Sequence, residues 1–321
     1  MKTLLLLLGV VVAVLVAGAA AFYLWASHEA DRQLTSVVDT HVVTFPMPFP
    51  ASAEDLAAAG VTADPDGRVA LDRARERGRH LVSARYACAD CHGANCGGGV
   101  MLDAFPMGRL LGPNLTTGRG SVVAGFTAAD WDRAVRHGVR HDGRSSAMPA
   151  QDFQQMSDQE LSDIVAYIQS LPPVDNEVPP SSYGPLGRVL LATHQLTPAA
   201  DMIADHHHAH LVEPPPVSDP AFGAHLAATC MGCHGAELAG GPIQGGDPSW
   251  PPAANLTPYA DGLAGWTYEQ FASTLRTGTR PDGTALRAPM TLVMPYSTAM
   301  TDDEMHALWA YVASRPAVAT P

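Results

Sequence analysis

The chain has 321 residues and a formal net charge of −13. This length accommodates two domains of ordinary size, each with its own core. The acidic charge argues against nucleic acid or an anionic lipid surface as a ligand, because both attract an excess of Lys and Arg. It favours basic docking partners instead. The sequence contains no Gly-x-Ser-x-Gly, Walker or Rossmann pattern, so any oxidation of a substrate would be the task of another subunit.

The chain begins with an apolar segment, Leu4 to Ala26, that contains no charged side chain. A membrane-spanning helix needs about 20 apolar residues, and this segment is long enough. Lys2 precedes it, and an interfacial belt of aromatic residues closes it, Phe22, Tyr23 and Trp25. Residues 1–27 are therefore predicted to be a transmembrane anchor. The alternative is a cleaved signal peptide with Ala19–Ala21 as the cleavage site, which leaves the rest of the chain on the same outer side.

After the anchor, residues 28–69 are rich in Pro, Ala and Asp, which predicts a partly packed tether. Apolar residues at helical spacing from Val69 to Tyr86 then predict the first helix of a domain. The remaining chain is predicted to consist of domain 1 at 70–173, an interdomain linker at 174–216 and domain 2 at 217–321. The linker is bounded by prolines, but its apolar stretch from Leu186 to Leu196 predicts one short packed helix.

The two halves of the chain repeat one another motif by motif. The repeat begins with Cys-x-x-Cys-His-Gly, at Cys88 and again at Cys230, and further matches follow in the same order. They are Asn114-Leu-Thr and Asn255-Leu-Thr, Gly125-Phe-Thr and Gly265-Trp-Thr, Met148-Pro and Met294-Pro, and the capping boxes Ser157–Glu160 and Thr301–Glu304. Each copy is therefore predicted to be one domain, with its last helix beginning at the capping box.

Each Cys-x-x-Cys-His motif predicts the covalent attachment of one haem. Two cysteines three positions apart on a helical turn can add to the two vinyl groups of one porphyrin, and the following His can bind its iron. The motifs assign Cys88, Cys91 and His92 to one haem c, and Cys230, Cys233 and His234 to a second. A redox dithiol, a zinc knuckle and a loop disulfide are the alternatives. A dithiol needs no adjacent His, however, and a zinc site needs a fourth ligand in each copy.

A methionine in each half is predicted to be the sixth iron ligand. Met148 and Met294 both precede Pro, in a segment expected to be a loop before the last helix. A thioether opposite an imidazole stabilises ferrous iron and raises the reduction potential. Met156 and Met300 compete for this role, but each lies just before a capping box, where an apolar side chain packs onto the new helix. Met290 is a further competitor that lacks the following Pro.

With these elements the sequence resembles membrane-anchored dihaem c-type cytochromes built from two class I cytochrome c domains, over roughly residues 70–316. The resemblance implies a mainly α fold, with an N-terminal transmembrane helix followed by two tandem cytochrome c domains. It also implies that a Pro carbonyl accepts the proton of the proximal His, a role that Pro113 fits. The second copy has Ala254 at that position, which leaves the contact open there. Further haem-pocket residues implied by the resemblance are Asn114, Asn255, Phe126 and Trp266.

Three other features are predicted to be structural. Cys96 stands where the second copy has Leu238, which indicates a small buried hydrophobe and not an iron ligand. Both His137 and His141 are expected at the surface. Four linker histidines are expected in a solvated segment, with a surface metal site or a distal iron ligand as alternatives: His206, His207, His208 and His210.

The predicted function is single-electron transfer and not catalysis. Two irons with six ligands each leave no open position for oxygen or peroxide, and an anchor keeps both near membrane partners. The expected partners are redox proteins at the outer face of the bacterial cytoplasmic membrane, such as a periplasmic dehydrogenase, a quinol-oxidising complex, a small cytochrome or a terminal oxidase. Whether the chain is a free carrier or a subunit of a complex stays open. The alternative from another class is a dihaem peroxidase or sulfur-compound oxidoreductase with one open haem.

Overall fold

The computed structural model describes residues 2–207, 209–243, 246–247 and 249–321. Within these ranges the fold is mainly α, as predicted. The helices are α1 Lys2–Thr35, α2 Ala53–Ala58, α3 Arg68–Ala84, α4 Cys88–His92, α5 Ala128–Val135, α6 Asp158–Ser170, α7 Pro185–Ala192, α8 Pro220–Ala227, α9 Met231–His234, α10 Tyr268–Thr277, α11 Met290–Ala299 and α12 Asp302–Ser314. The strands are β1 Gly99–Ala104, β2 Gly108–Gly112 and β3 Ser182–Tyr183.

Helix α1 is 34 residues long, and its most apolar window has a mean hydropathy of 2.9 with no residue buried. By length and composition it can cross a bilayer, although a signal sequence near an N-terminus passes the same test. The end of α1 is different in character. Ala26 and Ala30 are fully buried, and Asp31 pairs with Arg188 of α7 at 2.8 Å. The predicted linker helix is thus present as α7, and it packs on the end of α1.

The segment between α1 and α3 contributes to the core of the first haem-motif domain. Val43 and Phe45 are buried in that core. The backbone N–H of Val43 donates to Oδ2 of Asp132 at 2.8 Å, and the guanidinium of Arg136 lies 5.6 Å from the centroid of the Phe45 ring. Residues 28–69, predicted to be a partly packed tether, therefore include a length of α1 and a strap that closes domain 1.

Both domains are built on a crossing between their first and last long helices. Helix α3 crosses α6 in domain 1, and α8 crosses α12 in domain 2. A methyl group on Gly78 would overlap the Asp163 carbonyl, and one on Gly223 would overlap the Ala307 carbonyl. Glycine at these two positions lets the helix backbones touch, since any larger side chain would force them apart. The sequence repeat is therefore also a repeat in three dimensions.

The capping boxes predicted at the last helices are confirmed. In domain 1, the Ser157 hydroxyl accepts from Glu160 N at 3.1 Å, and Glu160 accepts from Ser157 N at 2.8 Å. Thr301 and Glu304 form the same pair in domain 2 at 3.2 and 2.8 Å. These bonds satisfy backbone N–H groups that have no partner within the helix. They also hold both glutamates at the faces where the domains meet.

A small sheet in domain 1 was not predicted from the sequence. Strands β1 and β2 form an antiparallel hairpin, in which Gly99 pairs with Gly112, and β3 from the linker adds at its edge. A side chain at Gly112 would overlap the Cys91 carbonyl, so the hairpin lies directly against the first Cys-x-x-Cys-His turn. Among the described residues of domain 2, the corresponding pairing is a single bridge between Gly241 and Ala253.

The two domains meet through a reciprocal pair of contacts. Nε2 of His80 lies 2.9 Å from both carboxylate oxygens of Glu304, and Nε2 of His225 lies 2.9 Å from Oε2 of Glu160. Each histidine stands two residues after the crossing glycine of its own domain, and each glutamate belongs to the capping box of the other. The junction is therefore quasi-two-fold, as in the interface of a symmetric dimer.

Arg85 connects this junction to the linker. Its side chain is 8% exposed and donates to Glu160 at 2.9 Å, to Glu213 at 2.8 Å and to Glu304 at 2.7 Å. Ligand atoms of Glu160, Glu213 and His225 lie within 4.8 Å of one another, a spacing that suits a metal ion. Glu160 and Glu213 both accept from the Arg85 guanidinium, and Glu213 pairs with Arg77 as well, so protein cations already occupy the place of a metal ion. We therefore interpret the cluster as a buried ion-pair network.

Candidate haem sites

The first Cys-x-x-Cys-His motif forms a single helical turn, α4, and Ala87 precedes it in the left-handed conformation with φ 48°. His92 ends this turn and is buried. Its Nδ1 lies 2.9 Å from the carbonyl oxygen of Pro113. Because a carbonyl only accepts, Nδ1 carries the proton and Nε2 keeps a lone pair for a metal. Burial lowers the pKa of His92, which favours the neutral ring that binds iron.

The second motif ends in the same geometry. His234 is buried, and its Nδ1 donates to the carbonyl oxygen of Ala254 at 2.7 Å. Burial lowers the pKa of His234 as well. The contact that the sequence left open in domain 2 is therefore made, and by a residue that is not proline. The orientation of the proximal histidine thus depends on the position of a backbone carbonyl and not on the side chain of the residue that carries it.

The environment of the cysteines disfavours the alternatives to thioether attachment. Burial raises the pKa of the Cys88 thiol to about 12 and that of Cys230 to about 11. Redox dithiols and metal thiolates depend on a lowered pKa, usually beside a cation. The five cysteines, all of them described, form no disulfide. Among the described residues, no cluster of three potential metal-binding side chains includes an attachment cysteine, so no zinc knuckle is formed.

The Asn-Leu-Thr elements clamp the loop that carries the proximal carbonyl. Oδ1 of Asn114 accepts from Thr116 N and Oγ1 at 2.9 and 2.8 Å, while its Nδ2 donates to the Val174 carbonyl at 2.7 Å. Asn255 repeats this pattern with Thr257 and the Val318 carbonyl. Both asparagines, predicted as haem-pocket residues, thus use their side-chain oxygen and nitrogen atoms in hydrogen bonds to other protein groups. They hold the chain after the last helix against the proximal loop.

Met148 lies where the sequence predicted it, in a loop before the last helix of domain 1. It is partly buried and, like Cys88 and Phe126, packs against the hydrophobic core of domain 1. Its backbone N–H donates to Oγ of Ser146 at 3.1 Å, and its carbonyl accepts from Ala150 N at 2.8 Å. The structure therefore brings the predicted distal methionine, an attachment cysteine and a predicted pocket aromatic residue to one cluster.

Met294 departs from the prediction, because it lies inside helix α11 and not in a loop. Pro295 follows it within the same helix. The Sδ and Cε atoms of Met294 are within 3.7 Å of the point where a methyl group on Gly278 would stand. The six extra residues before Met294 allow one more helix to form in domain 2. Trp266 packs against the core of this domain together with Cys230, but Met294 is outside that core.

Two of the three competing methionines pack as apolar residues. Met156 is buried in the core of domain 1, and Met300 packs against the core of domain 2. Met290 begins α11. Cys96 is buried in the same way as Leu238, and both residues adopt positive φ angles, 55° and 57°. As predicted, Cys96 is therefore a buried hydrophobe at an equivalent turn.

Two family models match the chain, each covering one domain. Residues 73–168 match the family described as cytochrome c oxidase, cbb3-type, subunit III, and residues 221–316 match the cytochrome c family. Over 286 residues the chain is 26% identical to a diheme cytochrome c-type protein of Cereibacter sphaeroides, a match that covers 80% of this chain and 91% of that protein. The chain is a c-type cytochrome with two haem domains.

Two further relatives of this cytochrome are subunits of dehydrogenases by name. It is 29% identical over 269 residues to the alcohol dehydrogenase (quinone) cytochrome c subunit of Gluconacetobacter polyoxogenes, covering 72% of this chain and 54% of that protein. It is 30% identical over 284 residues to the gluconate 2-dehydrogenase cytochrome c subunit of Pantoea cypripedii, covering 76% and 60%. The cytochrome therefore spans little more than half the length of these two curated relatives.

The residues of both sites fit a covalently attached haem c. In each domain the cysteine pair lies on one helical turn, and the following histidine is buried with Nε2 available. Haem c, when bound, supplies an iron that alternates between the ferric and ferrous states. The prediction of two haem c groups is thus confirmed by both the family matches and the dihaem relative.

Some predictions about the histidines of the cytochrome are wrong. His137 is fully buried and not at the surface, and its Nδ1 lies 3.0 Å from Nδ1 of His206, whose Nε2 donates to the Ala200 carbonyl. His210 pairs with Asp158. The linker is therefore not simply solvated, because these two histidines fasten it to domain 1. His141 is exposed as predicted and so is His207, while His208 lies outside the described residues.

Proposed function

We propose that this cytochrome carries single electrons between redox proteins at a membrane surface, with iron ligated by His92 and Met148 in domain 1 and by His234 and Met294 in domain 2. The observation that carries the proposal is the common orientation of the two histidines. Each donates its Nδ1 proton to a backbone carbonyl, which fixes the ring and reserves Nε2 for iron. The role of the protein is then to hold ligands and to exclude water.

The matched regions support the proposed domain division. Domain 1 at 70–173 contains the first matched range, 73–168, and domain 2 at 217–321 contains the second, 221–316. Each domain has a separate hydrophobic core. We infer that each domain encloses one haem.

We further infer that α1 anchors the cytochrome in the bacterial cytoplasmic membrane, with both haem domains on the outer face. The positive charge of Lys2 at the start of α1 favours keeping this end of the helix on the cytoplasmic side of the membrane. The helix continues without a break from Lys2 to Thr35, and the pair between Asp31 and Arg188 ties its end to the linker. An anchored carrier searches a thin layer above the membrane, which raises its effective concentration for membrane partners.

The electron donor we propose is a periplasmic or membrane-bound dehydrogenase. The names of the alcohol and gluconate dehydrogenase subunits support this class of partner. The net charge of −13 favours a basic docking face on the donor or the acceptor. Association with such a partner should slow as the ionic strength rises, because salt screens charges beyond about 10 Å at 0.1 M.

The test is a set of absorption spectra of the purified cytochrome, oxidised and reduced, with and without carbon monoxide. We expect the weak ferric charge-transfer band of methionine-ligated haem at an intensity that corresponds to two haems, and a reduced spectrum that carbon monoxide leaves unchanged. Met148→Ala and Met294→Ala should each remove half of the band and allow carbon monoxide to bind one haem.

Matched controls come from the two methionines that pack as apolar residues. Met156→Leu and Met300→Leu conserve side-chain volume, so the band should keep its full intensity. A wild-type protein with half the band, or one that binds carbon monoxide at one haem, has an open iron. That result would contradict the carrier function and would direct the next assays to peroxide and sulfur substrates.

A further inference from the structure

The segment after each predicted distal methionine reaches the attachment turn of the other domain. In domain 1, the short turn of residues 150–152 packs against residues 228–234, which carry the second Cys-x-x-Cys-His motif. In domain 2, α11 packs against α3, and the hydroxyl of its Tyr296 lies close to the carboxylate of Asp90 in the first motif. Burial, followed by the neighbouring carboxylate of Asp90, raises the pKa of Tyr296. Each haem-attachment turn is thus partly covered by the other domain.

The two attachment turns differ at their third residue. The first turn has Asp90 between its cysteines, and the second has Gly232 at the same position. A side chain at Gly232 would overlap Oδ1 of Asp152, which comes from domain 1. The charge of Asp152 also contributes, after burial, to the raised pKa of Cys233. Domain 1 therefore places a carboxylate beside the turn that has none of its own.

The two carboxylates have different surroundings. Asp90 is exposed and lies beside Tyr296 of domain 2. Oδ1 of Asp152 is buried, and among the described residues it has no hydrogen-bond partner. Burial raises the pKa of Asp152 to about 6, so the carboxylate is charged above neutral pH. A buried charge is screened less by water and salt than an exposed one, and its field extends further into the protein.

We propose that Asp152 sets the reduction potential of the haem in domain 2, by supplying from domain 1 the carboxylate that the second attachment turn lacks. This proposal rests on the attachment of haem at Cys230 and Cys233. A nearby negative charge stabilises the ferric state, which carries one more positive charge than the ferrous state, and so lowers the potential. Domain 1 would then control the direction of electron flow between the two haems through a residue of its own distal segment.

The test is a spectroelectrochemical titration of the full-length protein at pH 8, where Asp152 is ionised. Asp152→Asn keeps the shape of the side chain and removes the charge. We expect one of the two midpoint potentials to rise, changing the equilibrium constant for electron exchange between the haems about three- to tenfold, which is roughly 30–60 mV for one electron. The other potential should stay at its wild-type value.

Asp90→Asn is the matched control, because it removes the equivalent carboxylate from an exposed position. It should move the other potential, and by less. The double variant Asp152→Gly with Gly232→Asp returns a carboxylate to the second turn in the arrangement of the first. It should bring the shifted potential back towards the wild-type value, whereas Asp152→Gly alone should not. A residue that only packs would not show this rescue.

The proposal is overturned if Asp152→Asn leaves both potentials unchanged, or if it moves both equally. Spectra of each variant are recorded first. Two attached haems with an unchanged charge-transfer band show that the haem sites are intact, so a failure would then concern Asp152 alone. A spectrum that shows an open iron in the wild type would instead contradict the proposed carrier function.

Discussion

Domain 1 holds its proximal loop against a three-stranded sheet, whereas domain 2 holds the equivalent loop by the single bridge between Gly241 and Ala253. The proximal histidines are nevertheless oriented alike, at 2.9 Å from the Pro113 carbonyl and 2.7 Å from the Ala254 carbonyl. What the domains share at this point is the Asn-Leu-Thr clamp. The comparison indicates that the Asn-Leu-Thr clamp is sufficient to orient the proximal histidine. The sheet and Pro113 are additional features found in domain 1.

The junction between the domains shows the same mixture of repetition and difference. His80–Glu304 and His225–Glu160 are reciprocal contacts. Arg85, by contrast, is a single cation from domain 1 that serves the capping-box glutamates of both domains. Removal of one partner from a buried ion network costs more than the network contributes, because charges remain unpaired. We therefore expect Arg85 to contribute more than any other residue to the stability of the junction between the domains.

The largest effect is expected from Arg85→Met, which keeps much of the apolar stem and removes the charge. We expect the free energy of unfolding to fall by about 3–5 kcal/mol, because the buried carboxylates of Glu160 and Glu304 lose the guanidinium that they share. Urea unfolding monitored by circular dichroism measures it. Arg79→Met is the control, since its pair with Glu76 is exposed to solvent and should contribute little to stability. Equal losses in the two variants would show that the junction does not depend on Arg85.

The next effect concerns acid pH and the two reciprocal glutamates. Burial by itself would raise the pKa of Glu304, but the hydrogen bond from His80 and the charge of Arg85 outweigh it and lower this pKa to about 2. Glu160 likewise falls to about 2, with His225 and Arg85 outweighing burial. A lowered pKa stabilises the folded state above the ordinary value of 4.5, and the stabilisation is lost as the pH falls towards 2.

We therefore expect the unfolding free energy to decrease between about pH 4.5 and pH 2, with each glutamate contributing on the order of 3 kcal/mol. Glu160→Gln and Glu304→Gln should each flatten this dependence, and by similar amounts if the junction is quasi-two-fold. Denaturant titrations at several pH values check the expectation. Flattening in only one of the variants would show that the two contacts are not equivalent.

The smallest effect is expected from Pro113→Ala, which makes the proximal loop of domain 1 resemble that of domain 2. The carbonyl remains, so the absorption spectrum and the midpoint potentials should not change. The free energy of unfolding should fall by less than about 1 kcal/mol, the usual effect of losing a proline. Asn114→Ala is the contrasting variant, because it leaves buried partners unsatisfied at a cost of about 1–3 kcal/mol. A changed spectrum in Pro113→Ala would show that proline itself positions His92.

Much of the haem chemistry could be predicted because it is local in the sequence. The attachment cysteines and the histidine lie within five residues of one another, and one helical turn suffices to bring them together. The capping boxes span four residues and follow the same logic. Prediction was less reliable at Met294, because the six residues that lengthen the second copy build helix α11 where the first copy has a loop.

His137 shows why other predictions were wrong. Its place at the end of a short helix gave no sign of burial, since the linker that covers it arrives about 70 residues later in the chain, at Ala200 and His206. The prediction of a solvated linker fails at His206 for the same reason, because this residue packs against His137. Whether a polar segment packs or stays in solvent depends on which other parts of the chain lie against it. The periodicity of the segment itself does not contain this information.

The sequence by itself determined the two haem-attachment turns, the repeat of one domain after another and the apolar N-terminal helix. Each of these depends on residues close together in the chain. Only the tertiary structure decided that Glu160 and Glu304 each pair with a histidine of the other domain. It also decided that the carboxylate of Asp152 lies beside Gly232 of the second attachment turn. These contacts depend on how the two domains pack against each other, because they join side chains that lie 65 to 224 positions apart in the chain.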